Sequence, residues 1–215
     1  MKITYLGHSC FHIESNAGTS IVTDPYTGVG YELPAGLTAD AVTVSHGHFD
    51  HNYSSAVQTK QIISALGKHT VKDIDVAGIA TWHDPKQGAL RGSNIVFKMQ
   101  IDGISVCHLG DLGESCSAGI LEKIGKVDVL LIPVGGTYTI DAVQAKEYVQ
   151  KIAPKCVIPM HYRPEDGALD ITDCAPFLSL FNESIIRIVK EGEMEITSGN
   201  LTKDMQIIYM ERKRK

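Results

Sequence analysis

Four side chains that commonly bind metal ions lie within one short segment of the sequence. They are His46, His48, Asp50 and His51. Neutral imidazole suits zinc, iron and manganese, and an ionised carboxylate adds the charge that holds a second cation nearby. His46 and His48 project to the same side of an extended segment and can share one ion. A chance run of histidines in a polar loop is the alternative, but this density of ligand types favours a metal centre.

The residues before this cluster have the composition of a buried strand. Ala41–Val44 is apolar and β-branched, and Gly47 follows as a turn residue. A turn at the end of a buried strand holds side chains rigidly while leaving them open to a ligand. We expect Asp50 and His51 to lie beyond this turn, where they can reach a second ion beside the first.

Three further predicted strands also end at a histidine or an aspartate. They are the strands that end at Thr81 before His83, at Leu109 before Asp111, and at Ile158 before His161. Open α/β sheets build their sites where strand ends collect at one edge. A lone histidine at any of these places would be structural more often than functional. The shared context makes all of them candidate ligands.

Composition and length bound the class of protein. The chain has 215 residues, of which 43% are hydrophobic and 21% charged, which predicts one globular domain spanning 1–215. No run approaches eighteen apolar residues, so no transmembrane helix or membrane partner is expected. The five cysteines form no C-x-x-C pair, and Met1–Tyr5 does not resemble a signal peptide. We therefore expect a cytoplasmic protein, and the net charge of −5 gives no reason to expect nucleic acid as a partner.

The order of predicted elements indicates an α/β fold. Strands come first, and strands that alternate with helices follow, which predicts two sheets with helices outside. The clearest helix is 141–152, where apolar residues recur at three- and four-residue spacing and Asp141 can cap the N-terminus. Weaker patterns predict short helices over 53–59, 118–124 and 172–181.

Several motifs, taken in order, carry a resemblance to a known family. They are Gly7-His8-Ser9, Asp24-Pro25, His46-x-His48-x-Asp50-His51, His108-x-Gly110-Asp111, Pro133-x-Gly135-Gly136 and Pro159-Met160-His161-Tyr162. Over roughly Lys2 to Tyr162 the chain resembles the metallo-β-lactamase-fold hydrolases. More narrowly, it resembles the small stand-alone branch with the ascorbate-6-phosphate lactonase-like and N-acylphosphatidylethanolamine phospholipase D-like proteins. The cluster that begins at His46 is a specific signal, whereas the single later residues are specific only in combination.

The resemblance implies a four-layer αβ/βα sandwich with two divalent metal ions at one edge. The implied ligands of the first ion are His46, His48 and His83. The implied ligands of the second ion are Asp50, His51 and His161, and Asp111 would bridge both ions. His108 competes with His83 for the third place at the first ion. We favour His83, because in the resembling branch the third histidine precedes the Gly-Asp turn.

Other residues are expected to support the ligands or to hold the substrate. Asp24 matches an aspartate of the family that does not bind metal, and its expected role is to orient the histidine cluster. His108 and His8 are also expected behind the ligands. For His8, a position in the lining of the site is an equal alternative. Arg163 is a candidate for binding a phosphate or carboxylate. Tyr138 lies before the 141–152 helix, whose N-terminus could favour an anion, and a plain glycine turn is the alternative there.

Two ions of this kind can bring the pKa of a bridging water down toward neutrality, which gives hydroxide at pH 7. We therefore expect a hydrolase that cleaves an ester, lactone or phosphoester bond of a small, possibly anionic molecule. Asp50 would accept a hydrogen bond from the nucleophile and shuttle its proton. Zinc is the expected metal, with manganese and iron open. A nuclease or phosphodiesterase and a non-hydrolytic two-metal protein are the alternatives.

Overall fold

Two β-sheets carry the fold in the computed structural model, which describes residues 1–202 and 204–213. The strands of these residues, in chain order, are β1 Lys2–Gly7, β2 Cys10–Glu14, β3 Ser20–Thr23, β4 Ala41–Thr43, β5 Gln61–Ile63, β6 Gly67–Val71, β7 Ile74–Trp82, β8 Ser93–Ile101, β9 Ile104–His108, β10 Val129–Pro133, β11 Cys156–Met160, β12 Ile186–Val189, β13 Glu193–Glu195 and β14 Gln206–Met210. One sheet has the order β13-β1-β2-β3-β4-β5, and the other has the order β12-β14-β11-β10-β9-β8-β7-β6.

Both sheets are mixed. In the first sheet β13, β1, β2 and β3 pair antiparallel, whereas β3, β4 and β5 are parallel. In the second sheet β6 to β9 form an antiparallel meander, and β9, β10, β11, β14 and β12 are parallel. The β8–β9 hairpin turns at Asp102-Gly103, a dipeptide typical of tight hairpin turns. The predicted α/β fold with two mixed sheets is therefore confirmed.

The middle strands of the first sheet, β3 and β4, are buried on both faces, which explains why they are largely apolar. Successive side chains on a strand point to opposite faces. Ile21 and Ala41 lie in the large core that the two sheets share, and their neighbours Val22 and Val42 belong to a second, smaller core on the other face. Tyr26 and other side chains of the segment after β3 complete this smaller core.

The helices pack on the second sheet. They are α1 Ala118–Ile124, α2 Ala142–Ile152 and the single turn α3 Ala175–Leu178. Contacts join α1 to β7, α2 to β10 and α3 to α2. Among the described residues, those that cover the outer face of the first sheet form loops and one 3₁₀ turn, Ser54–Ala56. The helix predicted over 53–59 is this turn, and the helix predicted over 172–181 shortens to α3.

The long predicted helix is confirmed as α2. Asp141 is its N-cap and accepts hydrogen bonds from the backbone N–H groups of Val143 and Gln144, and the Gln144 side chain accepts one from the Asp141 backbone. This capping box satisfies the free N–H groups of the first turn. The helix N-terminus is thus occupied by its own side chains, which disfavours the anion site considered there from the sequence.

Three strands end at a residue with unusual backbone geometry. His8 after β1, Asp24 after β3 and His161 after β11 have positive φ values of 52°, 38° and 52°. Positive φ is uncommon for residues other than glycine and costs free energy, so such residues persist only where the surrounding structure holds them. All three side chains are buried beside the histidine cluster.

Across the described residues, no helix is both long enough and apolar enough to span a bilayer.

The shared core predicts a strong contrast between two substitutions. Leu131 on β10 is fully buried, whereas Val143 on α2 is 66% exposed. Leu131→Ala leaves a cavity and should lower the free energy of unfolding by about 2–5 kcal/mol. Val143→Ala should change it by less than about 0.5 kcal/mol. Urea unfolding at matched metal content measures both, and equal effects would contradict the assignment of the core.

Candidate metal centre

The predicted site residues meet at one edge of the two sheets. The structure brings together His8 after β1, Asp24 after β3, His46, His48, Asp50 and His51 after β4, His83 after β7, Asp111 after β9 and His161 after β11. Strand ends from both sheets thus supply the side chains. Their nitrogen and oxygen atoms form two donor groups, and a third set, His46, His51 and Asp111, links the two.

The first donor group consists of His46, His48 and His83, with their ligand atoms within 4.8 Å of one another. Nε2 of His46 lies 3.0 Å from Nδ1 of His48. The ring centroids of His46 and His83 are 4.6 Å apart. This is the grouping that the resemblance implied for the first ion, and its role in binding metal is proposed below.

The second donor group contains one more histidine than expected. His8 joins Asp50, His51 and His161 within the same 4.8 Å limit. Nε2 of His8 lies 3.2 Å from Oδ2 of Asp50 and 3.3 Å from Nε2 of His51. From the sequence, His8 was expected either behind the ligands or in the lining of the site. The structure places its Nε2 among the donor atoms.

Asp111 lies between the two groups. Its Oδ2 is 3.3 Å from Nε2 of His83 and 3.2 Å from Nε2 of His161. Its Oδ1 is 3.1 Å from Nε2 of His51. One carboxylate therefore faces donors of both groups, which is the position a bridging ligand requires.

The donor atoms fit a pair of metal ions. Ligands about 2.0–2.1 Å from one tetrahedral ion lie about 3.3 Å from each other, close to the 3.2 and 3.3 Å that separate His8 from Asp50 and His51. Nε2 of His161 and Oδ1 of Asp111 are buried and make no hydrogen bond of good geometry in the described structure, although each lies 3.1 to 3.2 Å from an atom of a neighbouring donor. Leaving such atoms unsatisfied costs about 1–3 kcal/mol each. Metal ions bound by both groups would satisfy them.

Asp24 orients the cluster from behind and has no exposed surface. Its carboxylate accepts hydrogen bonds from the backbone N–H and hydroxyl of Ser45 and from Nδ1 of His51, the last at 2.8 Å. Holding Nδ1–H of His51 against Asp24 leaves Nε2 directed at the donor group. Desolvation opposes the charge of Asp24, but the hydrogen bond from His51 and nearby histidines keep the pKa of its carboxyl below the usual value.

Burial keeps several of the histidines in the neutral form that binds metal. Desolvation lowers the pKa of His46 to about 3 and that of His8 to about 4, and it also lowers the pKa of His83. His51 behaves differently. Burial alone would lower its pKa, but the carboxylates of Asp111 and Asp24 raise it well above the ordinary value. A metal ion bound at Nε2 of His51 would have to displace a proton.

His108 is committed to the backbone and is not one of the grouped donor atoms. Its Nε2 donates to the carbonyl of Ser9 at 2.8 Å, and its Nδ1 accepts from the backbone N–H of Gly110 at 3.2 Å. Both ring nitrogens are therefore occupied, and the ring supports the turn that carries Asp111. This geometry favours His83 over His108 as a ligand.

Asn94 positions Asp111 and was not anticipated from the sequence. Its side-chain amide donates to Oγ1 of Thr81 and to the carbonyl of Leu109, and its Oδ1 accepts from the backbone N–H of Asp111. The turn passes so close that a Cβ at Gly110 would lie 2.4 Å from Oδ1 of Asn94. A lone polar residue on a strand carries no local signal for this role, because its partners come from the two neighbouring strands.

An open cleft of about 550 Å³ reaches the two donor groups. The residues that line it are Gly47, His48, Phe49, Asp50, His83, Arg91, Asp111, Tyr138 and Leu169. Tyr138 was expected at the substrate and does line the cleft. Arg163 does not, because the chain turns at His161 and the exposed Arg163 lines a separate surface cavity beside Glu165. Among the described lining residues the arginine is Arg91 instead.

Known proteins share both the sequence and the fold. The beta-lactamase superfamily domain matches residues 2–161. A UPF0173 metal-dependent hydrolase from Methanospirillum hungatei is 30% identical over 211 residues, which covers 86% of this chain and 92% of the relative. The chain belongs to the UPF0173 family of metal-dependent hydrolases, within the beta-lactamase superfamily.

Two solved structures extend this family assignment to the fold. A candidate Zn-dependent hydrolase of the metallo-β-lactamase superfamily from Thermotoga maritima is 38% identical, with a TM-score of 0.80 and 97% coverage of both chains. Igni18, a metallo hydrolase from Ignicoccus hospitalis, is 22% identical, with a TM-score of 0.67 and coverage of 99% and 96%. The likeness to Igni18 shows the fold alone. The resemblance to the superfamily is confirmed, whereas the narrower lactonase-like and phospholipase D-like resemblance stays a prediction.

The two competing histidines predict different metal contents. His83→Ala removes a donor atom and should lower the bound metal by about one ion per chain, because a tetrahedral site loses affinity steeply with each ligand. His108→Ala removes only contacts with the backbone and should leave the metal content unchanged. Elemental analysis of dialysed protein measures both. Loss of an ion in His108→Ala alone would reverse the assignment.

The position of His8 predicts an effect on the second ion. His8→Ala should weaken binding of one ion at least about 10-fold while the other ion remains bound. Competition with a metal-binding dye measures the two affinities. His12→Ala is the control, since His12 lies on β2 outside both donor groups. Unchanged affinities in His8→Ala would contradict a ligand role for His8, whose ring would then serve only as a hydrogen-bond partner of Asp50.

Proposed function

We propose that this protein is a two-metal hydrolase that cleaves an ester, lactone or phosphoester bond of a small molecule. The observation that carries the proposal is the pair of donor groups that share Asp111 at the cleft. The first group would hold one ion through His46, His48 and His83. The second group would hold the other ion through His8, Asp50, His51 and His161. A pair of bound divalent ions supplies a water nucleophile at neutral pH and stabilises negative charge on the substrate.

The protein's own residues position the reaction. Asp50 lines the cleft, and before metal binds, the hydrogen bond from Nε2 of His8 and the charge of His51 outweigh desolvation and keep its carboxylate ionised, with a low pKa. An ion bound at Nε2 of His8 would take over the role of that hydrogen bond. We propose that Asp50 first accepts a hydrogen bond from the attacking water and then takes up and transfers its proton. Asp24 and Asn94 act through other residues, since they hold the ring of His51 and the backbone of Asp111.

Zinc is the metal we propose, with manganese and iron as alternatives. A donor set rich in imidazole with few carboxylates suits zinc. The Thermotoga maritima protein, 38% identical, is described as Zn-dependent. The substrate is proposed to be a small molecule because the cleft of about 550 Å³ falls in the usual range for small-molecule sites.

Metal content and a substrate panel test the proposal together. The zinc-loaded protein should hold two ions per chain and hydrolyse a 4-nitrophenyl ester, a lactone or bis-4-nitrophenyl phosphate, and a chelator should abolish turnover. Asp111→Ala should lose one ion and reduce kcat/KM at least about 100-fold. Asp75→Ala is the control, because Asp75 is an exposed aspartate on β7.

The outcomes separate the proposal from its alternatives. Cleavage of single-stranded RNA in preference to all small substrates would indicate a nuclease. Two bound ions without any turnover would indicate a metal-binding protein that is not a hydrolase. Full activity in Asp111→Ala would overturn the bridging role of this carboxylate.

A further inference from the structure

We infer that the substrate carries an apolar portion and one anionic group, and that Arg91 binds the anionic group. This inference rests on the proposed hydrolase function and narrows its substrate class. It comes from the loop side chains that form the wall of the cleft and not from the donor groups that form its floor. The wall combines one arginine with three large apolar or aromatic side chains: Phe49, Tyr138 and Leu169.

Arg91 is held in place by neighbouring groups that carry no charge. One guanidinium N–H donates to the carbonyl of Thr137 at 2.9 Å, and the guanidinium carbon lies 5.7 Å from the centroid of the Tyr138 ring. Within residues 1–202 and 204–213, Arg91 takes part in no salt bridge, whereas Arg212 pairs with Asp166. The guanidinium has five N–H donors and prefers planar anions such as carboxylate and phosphate. Its remaining donors are therefore available to a ligand in the cleft.

The loop that carries Arg91 is built around a buried carboxylate. Asp84 follows the ligand His83 and has no exposed surface. Its two oxygens accept hydrogen bonds from the backbone N–H groups of Lys86, Gly88, Leu90 and Arg91. Four bonds to one carboxylate fix the course of 84–92. The backbone of Arg91 is thus tied to the residue directly after a metal-binding histidine.

A second turn fixes the two groups that the Arg91 side chain contacts, the Thr137 carbonyl and the Tyr138 ring. Gly136 and Thr137 have positive φ values of 64° and 56°. This turn presents the Thr137 carbonyl to Arg91 and places the Tyr138 ring, 41% exposed, in the cleft. Two independently constrained loops therefore hold the guanidinium at the cleft, which is typical of a preorganised binding group and not of a solvated surface arginine.

The apolar walls define the rest of the ligand. Phe49 is 57% exposed although it is a large aromatic residue, and its ring lies over Gly28, where an added Cβ would come within 3.1 Å. Leu169 is half-buried against the smaller core. Exposed apolar surface gathered in a cleft gains free energy by covering an apolar ligand. The combination fits an acyl or aryl chain whose carboxylate or phosphate reaches Arg91.

Matched esters test the anionic group. The zinc-loaded protein should hydrolyse mono-4-nitrophenyl glutarate with a kcat/KM at least about 10-fold above that of neutral 4-nitrophenyl pentanoate. Arg91→Ala and Arg91→Gln should remove this preference by raising KM for the anionic ester. Both variants should retain the metal content and should lose far more kcat/KM on the anionic ester than on the neutral one. 4-Nitrophenyl 4-phosphonobutanoate, assayed beside the glutarate ester, decides between a phosphate-type and a carboxylate group.

Lys86→Ala is the matched control, since Lys86 is an exposed basic residue on the same loop and does not line the cleft. The Lys86→Ala variant should prefer the anionic esters over the neutral ester to the same extent as the unmodified protein. No preference for the anionic esters in the unmodified protein would overturn the inference. An equal loss on neutral and anionic esters in both Arg91 variants would also overturn it, because Arg91 would then support the cleft and not bind the substrate.

A binding measurement separates this inference from the proposed function. Calorimetric titration of the zinc-loaded protein should show 4-phenylbutyrate binding at least about 10-fold more tightly than 4-phenylbutyramide and than butyrate, and Arg91→Ala should abolish the difference from the amide. This result would support the inference even if none of the esters is hydrolysed. Equal affinities for 4-phenylbutyrate and its amide would overturn it even if the esters are hydrolysed.

Discussion

The burial of two carboxylates constrains the whole edge of the molecule that carries the candidate site. Asp24 is fully buried and Asp111 is 1% exposed. A buried charge costs several kcal/mol unless it is paired and hydrogen-bonded. Asp24 obtains its partners from Ser45 and His51. Asp111 is surrounded by imidazoles, and desolvation keeps His46 and His83 among them neutral. His161 and His51 nevertheless keep the pKa of the Asp111 carboxyl well below its ordinary value against desolvation, and a cation bound beside this carboxylate would take the place of the proton on His51.

The strained backbone at the strand ends serves this arrangement. The chain leaves β1, β3 and β11 through left-handed residues, and each turn directs a polar side chain into the space between the sheets' edges. The turns hold one another, since the backbone N–H of His161 donates to the carbonyl of His8 at 2.9 Å. Tyr31 accepts from the backbone N–H of His8, and Arg212 stacks on the Tyr31 ring. Contacts far apart in the chain therefore maintain geometry that local preference alone would not adopt.

The cleft divides into a floor and a wall with different physical origins. Its floor consists of charged and imidazole groups fixed by strand ends and by hydrogen bonds behind them. Its wall consists of loop side chains such as Phe49, Arg91 and Tyr138. In many enzymes a rigid scaffold holds the reacting groups, and loops contact the rest of the ligand. Under the proposed function, the floor would carry out hydrolysis and the wall would select the substrate.

Local pattern predicted the elements well where periodicity or turn chemistry was strong. The α2 helix, the β8–β9 hairpin and the strands before His46, Asp111 and His161 follow from such signals. β6 was missed because Gly67–Val71 is largely polar, and it becomes a strand by pairing with β7. Loops and one 3₁₀ turn cover the outer face of the first sheet, and periodicity cannot show in advance that loop side chains will cover an apolar face.

The sequence by itself determined which types of ligand follow which strands, because a residue's place after a strand is a local property. It did not determine which way the chain turns afterwards. His8 joins the donor atoms, His108 bonds to the backbone, and Arg163 leaves the site, although all three lie at or near strand ends. Arg91 reaches the cleft through a loop organised by Asp84. Tertiary structure decided these outcomes, because side-chain direction depends on left-handed turns and buried partners supplied by distant parts of the chain.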